Sequence, residues 1–139
     1  MTVPLSLVGR QARLLATRDL IAEMWFYTAS VMPWVPPATP ETATSETLLA
    51  IDTLAAPAGA IGASGNIATL TLTVPRVSTV LATGVIGWVR FVDGAGAGIM
   101  DLPVVAVGTT GGPWPVIASS LVVYAGGELQ VLSCVISEA

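Results

Sequence analysis

The sequence predicts a mainly β fold, an antiparallel jelly-roll-like β-sandwich with one short amino-terminal helix. Three observations lead there. One stretch near the amino terminus has helical periodicity, and about seven or eight later stretches are short, apolar and rich in β-branched or aromatic residues. Gly and Pro separate those stretches roughly every 8–12 residues, the spacing of strands in sandwiches and barrels. All 139 residues read as one domain, with a helical segment over 1–22, a proline-rich loop over 31–46 and the sandwich core over 47–139. A chain of this length buries roughly two thirds of the surface its unfolded form exposes, enough for a core of its own.

The helix is expected over Ser6 to Asp19, where Leu5, Val8, Ala12 and Leu15 recur every three or four residues and Arg10, Arg13 and Arg18 lie off that line. Met24-Trp25-Phe26-Tyr27-Thr28 is an aromatic cluster ending in Thr, which suits a strand. Pro33, Pro36, Pro37 and Pro40 then hold residues 31–46 in an extended, semi-rigid loop. Trp34 within it is either a lid folded back on the core or a side chain offered to a partner. Thr47 to Ile51 reads as a strand and Ala56 to Gly65 as a flexible loop. The clearest strand follows, with Ala68, Leu70, Leu72 and Val74 alternating with Ile67, Thr69, Thr71 and Thr73. Val85 to Asp93 and Ile99 to Val107 form a hairpin around the glycines of Asp93-Gly94-Ala95-Gly96-Ala97-Gly98. Beyond the turn at Gly111-Gly112-Pro113, the runs Val116-Ile117 and Leu121 to Tyr124 are short strands, and Ala125-Gly126-Gly127 turns into a last strand from Glu128 to Ser137.

Composition narrows the function. The chain is 53% apolar and 10% charged, with a mean hydropathy of +0.79, so it has few charges with which to cover itself. Burial of part of its surface in an assembly, including a homo-oligomer, resolves that excess. Its cations are five arginines against nine acids, for a net charge of −4, and with no basic stripe nucleic-acid binding is not expected. Residues 53–75 and 102–127 are uncharged but broken by Gly and Pro, so no membrane-spanning helix is expected. No secretory signal is visible, which places synthesis and assembly in the cytoplasm.

No catalytic set is expected. Histidine is absent, and with it the commonest general base and metal ligand. The nine carboxylates are scattered, and the Asp93 to Gly98 segment lacks the alternating oxygen ligands of a calcium loop. It is also no dinucleotide fingerprint, because it joins two strands and no helix follows. Cys134, in an apolar run, is expected to be a buried thiol. Arg90 and Asp101 fall on opposite arms of the hairpin, near enough for a structural ion pair. Of Trp88 and Trp114, at least one is expected in the core. Catalytic, cofactor-binding and metal residues are therefore all expected to be none.

The series Arg10-Gln11-Ala12-Arg13-Leu14, Trp25-Phe26-Tyr27-Thr28 with its proline loop, Leu48-Leu49-Ala50 and Ala68-Thr69-Leu70-Thr71 continues with Ala82-Thr83-Gly84 before Gly87-Trp88-Val89-Arg90-Phe91. It ends in Tyr124-Ala125-Gly126-Gly127-Glu128 leading to Leu132-Ser133-Cys134. This order resembles a family of small bacteriophage virion structural proteins, of the head decoration or minor capsid kind, over nearly the whole chain. The loop around Trp34 is longer than the family's. The resemblance implies a non-enzymatic virion protein that stabilises the head lattice, with the major capsid protein or other virion proteins as partners. The alternatives are a tail, collar or connector component, or a carbohydrate- or receptor-binding module displaying Trp34 or Trp114 as a stacking platform. Contacts to neighbouring chains are expected from the helix and the proline loop, with Arg10, Arg13, Met32, Trp34, Val35 and Trp114 at the interface.

Overall fold

The computed structural model describes residues 5–30 and 39–139. Helix α1 spans Leu7–Leu20, as its periodicity predicts. Ser6 caps it, its hydroxyl accepting from the Gly9 N–H at 3.1 Å, and the Ile21 N–H closes the last turn on the Thr17 carbonyl. The face it buries is not the one its apolar line suggests. Arg10 and Leu14 are turned inward with Leu7 packed on the core, while Val8, Ala12 and Leu15 face out. Arg10 explains the rotation. Its guanidinium donates to the carbonyls of Leu5 and Asn66, and those bonds hold the charged side chain against the sheet.

Ten strands follow: β1 (Glu23–Thr28), β2 (Leu48–Thr53), β3 (Gly59–Ser64), β4 (Ile67–Leu72), β5 (Arg76–Thr79), β6 (Gly84–Val92), β7 (Gly98–Ala106), β8 (Val116–Ala118), β9 (Val122–Val123) and β10 (Glu128–Glu138). They form one curled sheet in the order β2-β1-β6-β7-β8-β10-β4-β3, with β5 also on β10 and β9 on β6. The mainly β class with one short helix is as expected. The sheet is mixed, however, because β7 and β8 run parallel while every other pair is antiparallel. The chain between those two strands passes Thr109 to Pro115 as a crossover, so Val116 re-enters beside Val104 in the same direction.

Strands β4 and β5 lie end to end along β10, which pairs β5 through Glu128–Val131 and β4 through Val135–Glu138 and takes β8 on its other edge. The Ala50–Val80 bridge and the Arg76–Asp52 ion pair join β2 to the β5 segment across the curl. The core inside contains Met24, Phe26, Leu49, Leu70, Leu72, Ile86, Phe91, Leu129 and Cys134, all buried. Side chains of this size each stabilise a fold by about 1.5–3 kcal/mol when fully buried.

Two strands depart from expectation. Residues 56–65, read as a flexible loop, contain β3, whose small side chains have low strand propensity but let it lie close to β4. A Cβ at Gly59 would overlap the Thr71 carbonyl, so the close approach needs glycine there. Strand β5 is too short to show a period, and its pairing with β10 and the Arg76 ion pair set it in place.

Candidate functional site

Alternation along β1 and β6 divides their side chains between two faces. Met24, Phe26, Val89 and Phe91 join the main core, which leaves Trp25, Tyr27, Trp88 and Arg90 on the other face of the sheet. Register then places them in two rows. Trp25 pairs with Arg90 and Arg90 with Asp101, while Tyr27 pairs with Trp88 and Trp88 with Pro103. Cross-strand neighbours on one face lie close enough to interact.

The rows are tightly joined. The rings of Tyr27 and Trp88 stack at 4.7 Å and 18°, and the Trp88 indole N–H donates to the Thr28 carbonyl at 2.9 Å. The Arg90 guanidinium lies 5.2 Å from the Trp88 ring centre. Its Nε and Nη2 donate to the two carboxylate oxygens of Asp101 at 2.8 and 3.0 Å, a bidentate pair whose side chains are only 7% and 5% exposed. The expected ion pair is thus present and buried. Hydrogen bonding to Asp101 holds the Arg90 proton more tightly than usual, against the opposing effect of burial. Burial raises the Tyr27 phenol above its usual range, Arg90 opposing and Asp101 adding to the effect.

The described end of the proline loop covers this face. Arg90 Nη1 donates to the Thr42 carbonyl at 2.7 Å, and the Pro40 carbonyl occupies the place where a Cβ on Gly98 would stand. Glu46 secures the loop base by accepting from the Ser30 N–H and hydroxyl and, at 2.9 Å, from the Thr28 hydroxyl. Those bonds, Ser30 first, lower the Glu46 pKa. A cavity of about 390 Å³ remains, lined by Trp25, Tyr27, Glu41, Thr44 and Arg90 with the Gly96 to Gly98 backbone.

Of the expected interface residues, Arg10, Arg13 and Trp114 lie within the described residues. Arg10 is 9% exposed and holds the helix to the β3–β4 turn. Arg13 is exposed and pairs with Glu138 at 2.9 Å. Trp114 is half-buried, its indole donating to the Thr110 carbonyl at 3.1 Å beside a crevice formed with Leu102, Pro113, Val135 and Ile136. Met32, Trp34 and Val35 lie outside the described residues. A second surface lies at the helix, where Val8, Ala12, Leu15 and Arg18 face Gly59, Ala60 and Ile61 across an open groove. Gln11 donates to the Gly62 carbonyl at 3.0 Å in its floor.

Trp25, Tyr27 and Glu41 were not among the expected site residues. The available signal was the alternation in Trp25-Phe26-Tyr27, which sends two aromatics to one face, together with an arginine inside an apolar strand. Among the described residues, no three His, Cys, Asp or Glu side chains gather to hold a metal ion, and no helix is long and apolar enough to cross a membrane. No protein family, curated protein or solved structure matches the chain.

Proposed function

We propose that this chain is a non-enzymatic structural protein of a bacteriophage virion, a jelly-roll-like decoration or minor capsid protein that docks on the head lattice and strengthens contacts between capsid subunits. The observation that carries the reading is the outward apolar line of α1. Val8 is 73% and Leu15 41% exposed, with Ala12 between them, on a chain with few charges to spare. Helix residues at this spacing form a stripe that water disfavours, and each large side chain covered by a partner contributes up to about 2 kcal/mol. The internal pairing of Arg10 and the buried Leu14 fix the helix rotation, so the stripe is presented on a rigid support.

The test has two parts. Quantitative mass spectrometry of purified virions should find this chain at a copy number on the order of hundreds, as a lattice component requires. About a dozen copies or fewer would move it to the tail or connector, and absence from the particle would end the reading. Val8→Asp with Leu15→Asp should leave the melting temperature of the free protein within a few degrees of the parent but abolish incorporation.

A further inference from the structure

We infer that the cavity between Trp25, Tyr27, Glu41, Arg90 and the β6–β7 turn is a binding site for a single neutral sugar ring. This goes beyond the structural role and does not depend on it. At about 390 Å³ the cavity sits at the small end of ligand sites, which run from about 300 to 1,000 Å³, and admits one ring and not a folded chain. Three other cavities among the described residues lack its combination of groups. The crevice at Trp114 has an aromatic wall but no charged side chain, and the groove at α1 has a charge but no aromatic. The hollow beside Ile21 and Leu54 has Arg18 and Asp19, already paired with each other at 3.1 Å, and again no aromatic.

Electrostatics select a neutral ligand. Arg90 is neutralised by Asp101, and Glu41, an exposed residue at the lip, adds a negative charge with no hydrogen-bond partner among the described residues. An anion would meet that carboxylate, while a cation would meet the guanidinium and the donors beside it. A polyhydroxy ring satisfies both kinds of group. One hydroxyl donates to the Glu41 carboxylate, and ring oxygens accept from the two Arg90 N–H bonds left after three of its five are used. The apolar C–H face of the ring packs on the aromatic wall that Trp25 contributes to the cavity.

The intact protein, labelled with ¹⁵N, is titrated with glucose, galactose and N-acetylglucosamine and with short oligomers of each, following the indole N–H signals. Trp25→Phe assigns the Trp25 signal; if that variant does not fold, Trp88→Phe and Trp114→Phe narrow the assignment. The expected result is a saturable shift of the Trp25 signal by at least one sugar, with a Kd on the order of 1 mM. Glu41→Gln, a change at an exposed position, should weaken it at least about tenfold without lowering the melting temperature, a loss of one hydrogen bond to a charged group. An oligomer that binds more tightly than its monomer identifies a glycan chain as the source of the ring, and equal binding identifies free sugar. The inference is overturned if no sugar gives a saturable shift, if Glu41→Gln binds as the parent does, or if only tetramethylammonium or inorganic phosphate moves the signal.

Discussion

Truncating Asp101 to Ala leaves the Arg90 guanidinium on a 6% exposed residue, bonded among the described residues to the Thr42 carbonyl, beside the Trp88 ring and with the Glu41 carboxylate too far for an ion pair. Two bonds of 2.8 and 3.0 Å disappear together. Breaking a buried pair from one side costs about 3–5 kcal/mol, because the remaining charge has lost its partner without regaining water. Small domains are stable by only about 5–15 kcal/mol, so this one change removes about a fifth or more of the total and lowers the melting temperature by roughly 10 °C or more. Arg90→Ala should cost at least as much, since it strands Asp101 and also gives up the Trp88 contact, of about 0.5–2 kcal/mol, and the bond to the loop. Replacing both residues by apolar ones, Arg90→Met with Asp101→Leu, should recover most of the loss, as buried pairs exchanged for well-packed hydrophobes usually do. Urea unfolding followed by tryptophan fluorescence gives each ΔG at constant m-value. Single changes below about 1 kcal/mol that add without coupling would refute the reasoning, because only a solvent-screened pair behaves in that way.

Cys134 is buried, with burial raising its thiol to about 12, so in the native protein it should stay neutral through pH 9 and resist thiol reagents that label it at once in urea; rapid labelling of the folded protein would contradict this. Glu46 titrates below its ordinary value of 4.5 because Ser30 and Thr28 bond its ionised form, so its contribution is complete above that value and is lost as the pH falls through the lower folded one. Parent and Glu46→Gln should therefore differ in stability at pH 7 and converge on acidification, as thermal melts at several pH values would show. Gly98→Ala places a methyl group where the Pro40 carbonyl stands, so the 39–46 loop should lift, costing about 1–3 kcal/mol and opening Glu41 and Glu46 to a glutamate-specific protease; unchanged resistance would mean the loop is not seated there. Arg13→Ala should change stability by less than about 1 kcal/mol, because its partner Glu138 and it are both solvent-accessible.

How far the fold could be read from residues alone depended on side-chain size. The strand Ile67–Leu72 carries its period of two openly, and Gly84–Val92 shows instead as a near-continuous apolar run, buried from Ile86 onward. Strand β3, Gly-Ala-Ile-Gly-Ala-Ser, does neither, because what makes it a strand is the β4 edge and not its own side chains. The α1 boundaries follow from Ser6 and the periodicity, yet the buried face was set by Arg10 finding Asn66, fifty-six positions away, which no local pattern contains. The same holds for the covered outer face. Arg90 and Asp101 are near in sequence and their pairing was legible, whereas the Thr42 carbonyl and the Pro40 carbonyl reach that face through tertiary packing. The parallel placement of β8 was hidden because its three residues have no direction of their own.

Strand β10 binds β5, β8 and β4 at once, so three seams of the sheet wait for the same eleven residues. On a ribosome adding about 5–20 residues per second, β4 is complete several seconds before its partner has been made. During that interval the β3–β4 hairpin holds an unpaired, apolar edge in water, the kind of surface on which nascent chains stick to one another. Weaker expression, by starting fewer chains at once and so thinning the population of such half-made chains, should raise the fraction of native protein more than any change in the rate at which the finished chain folds.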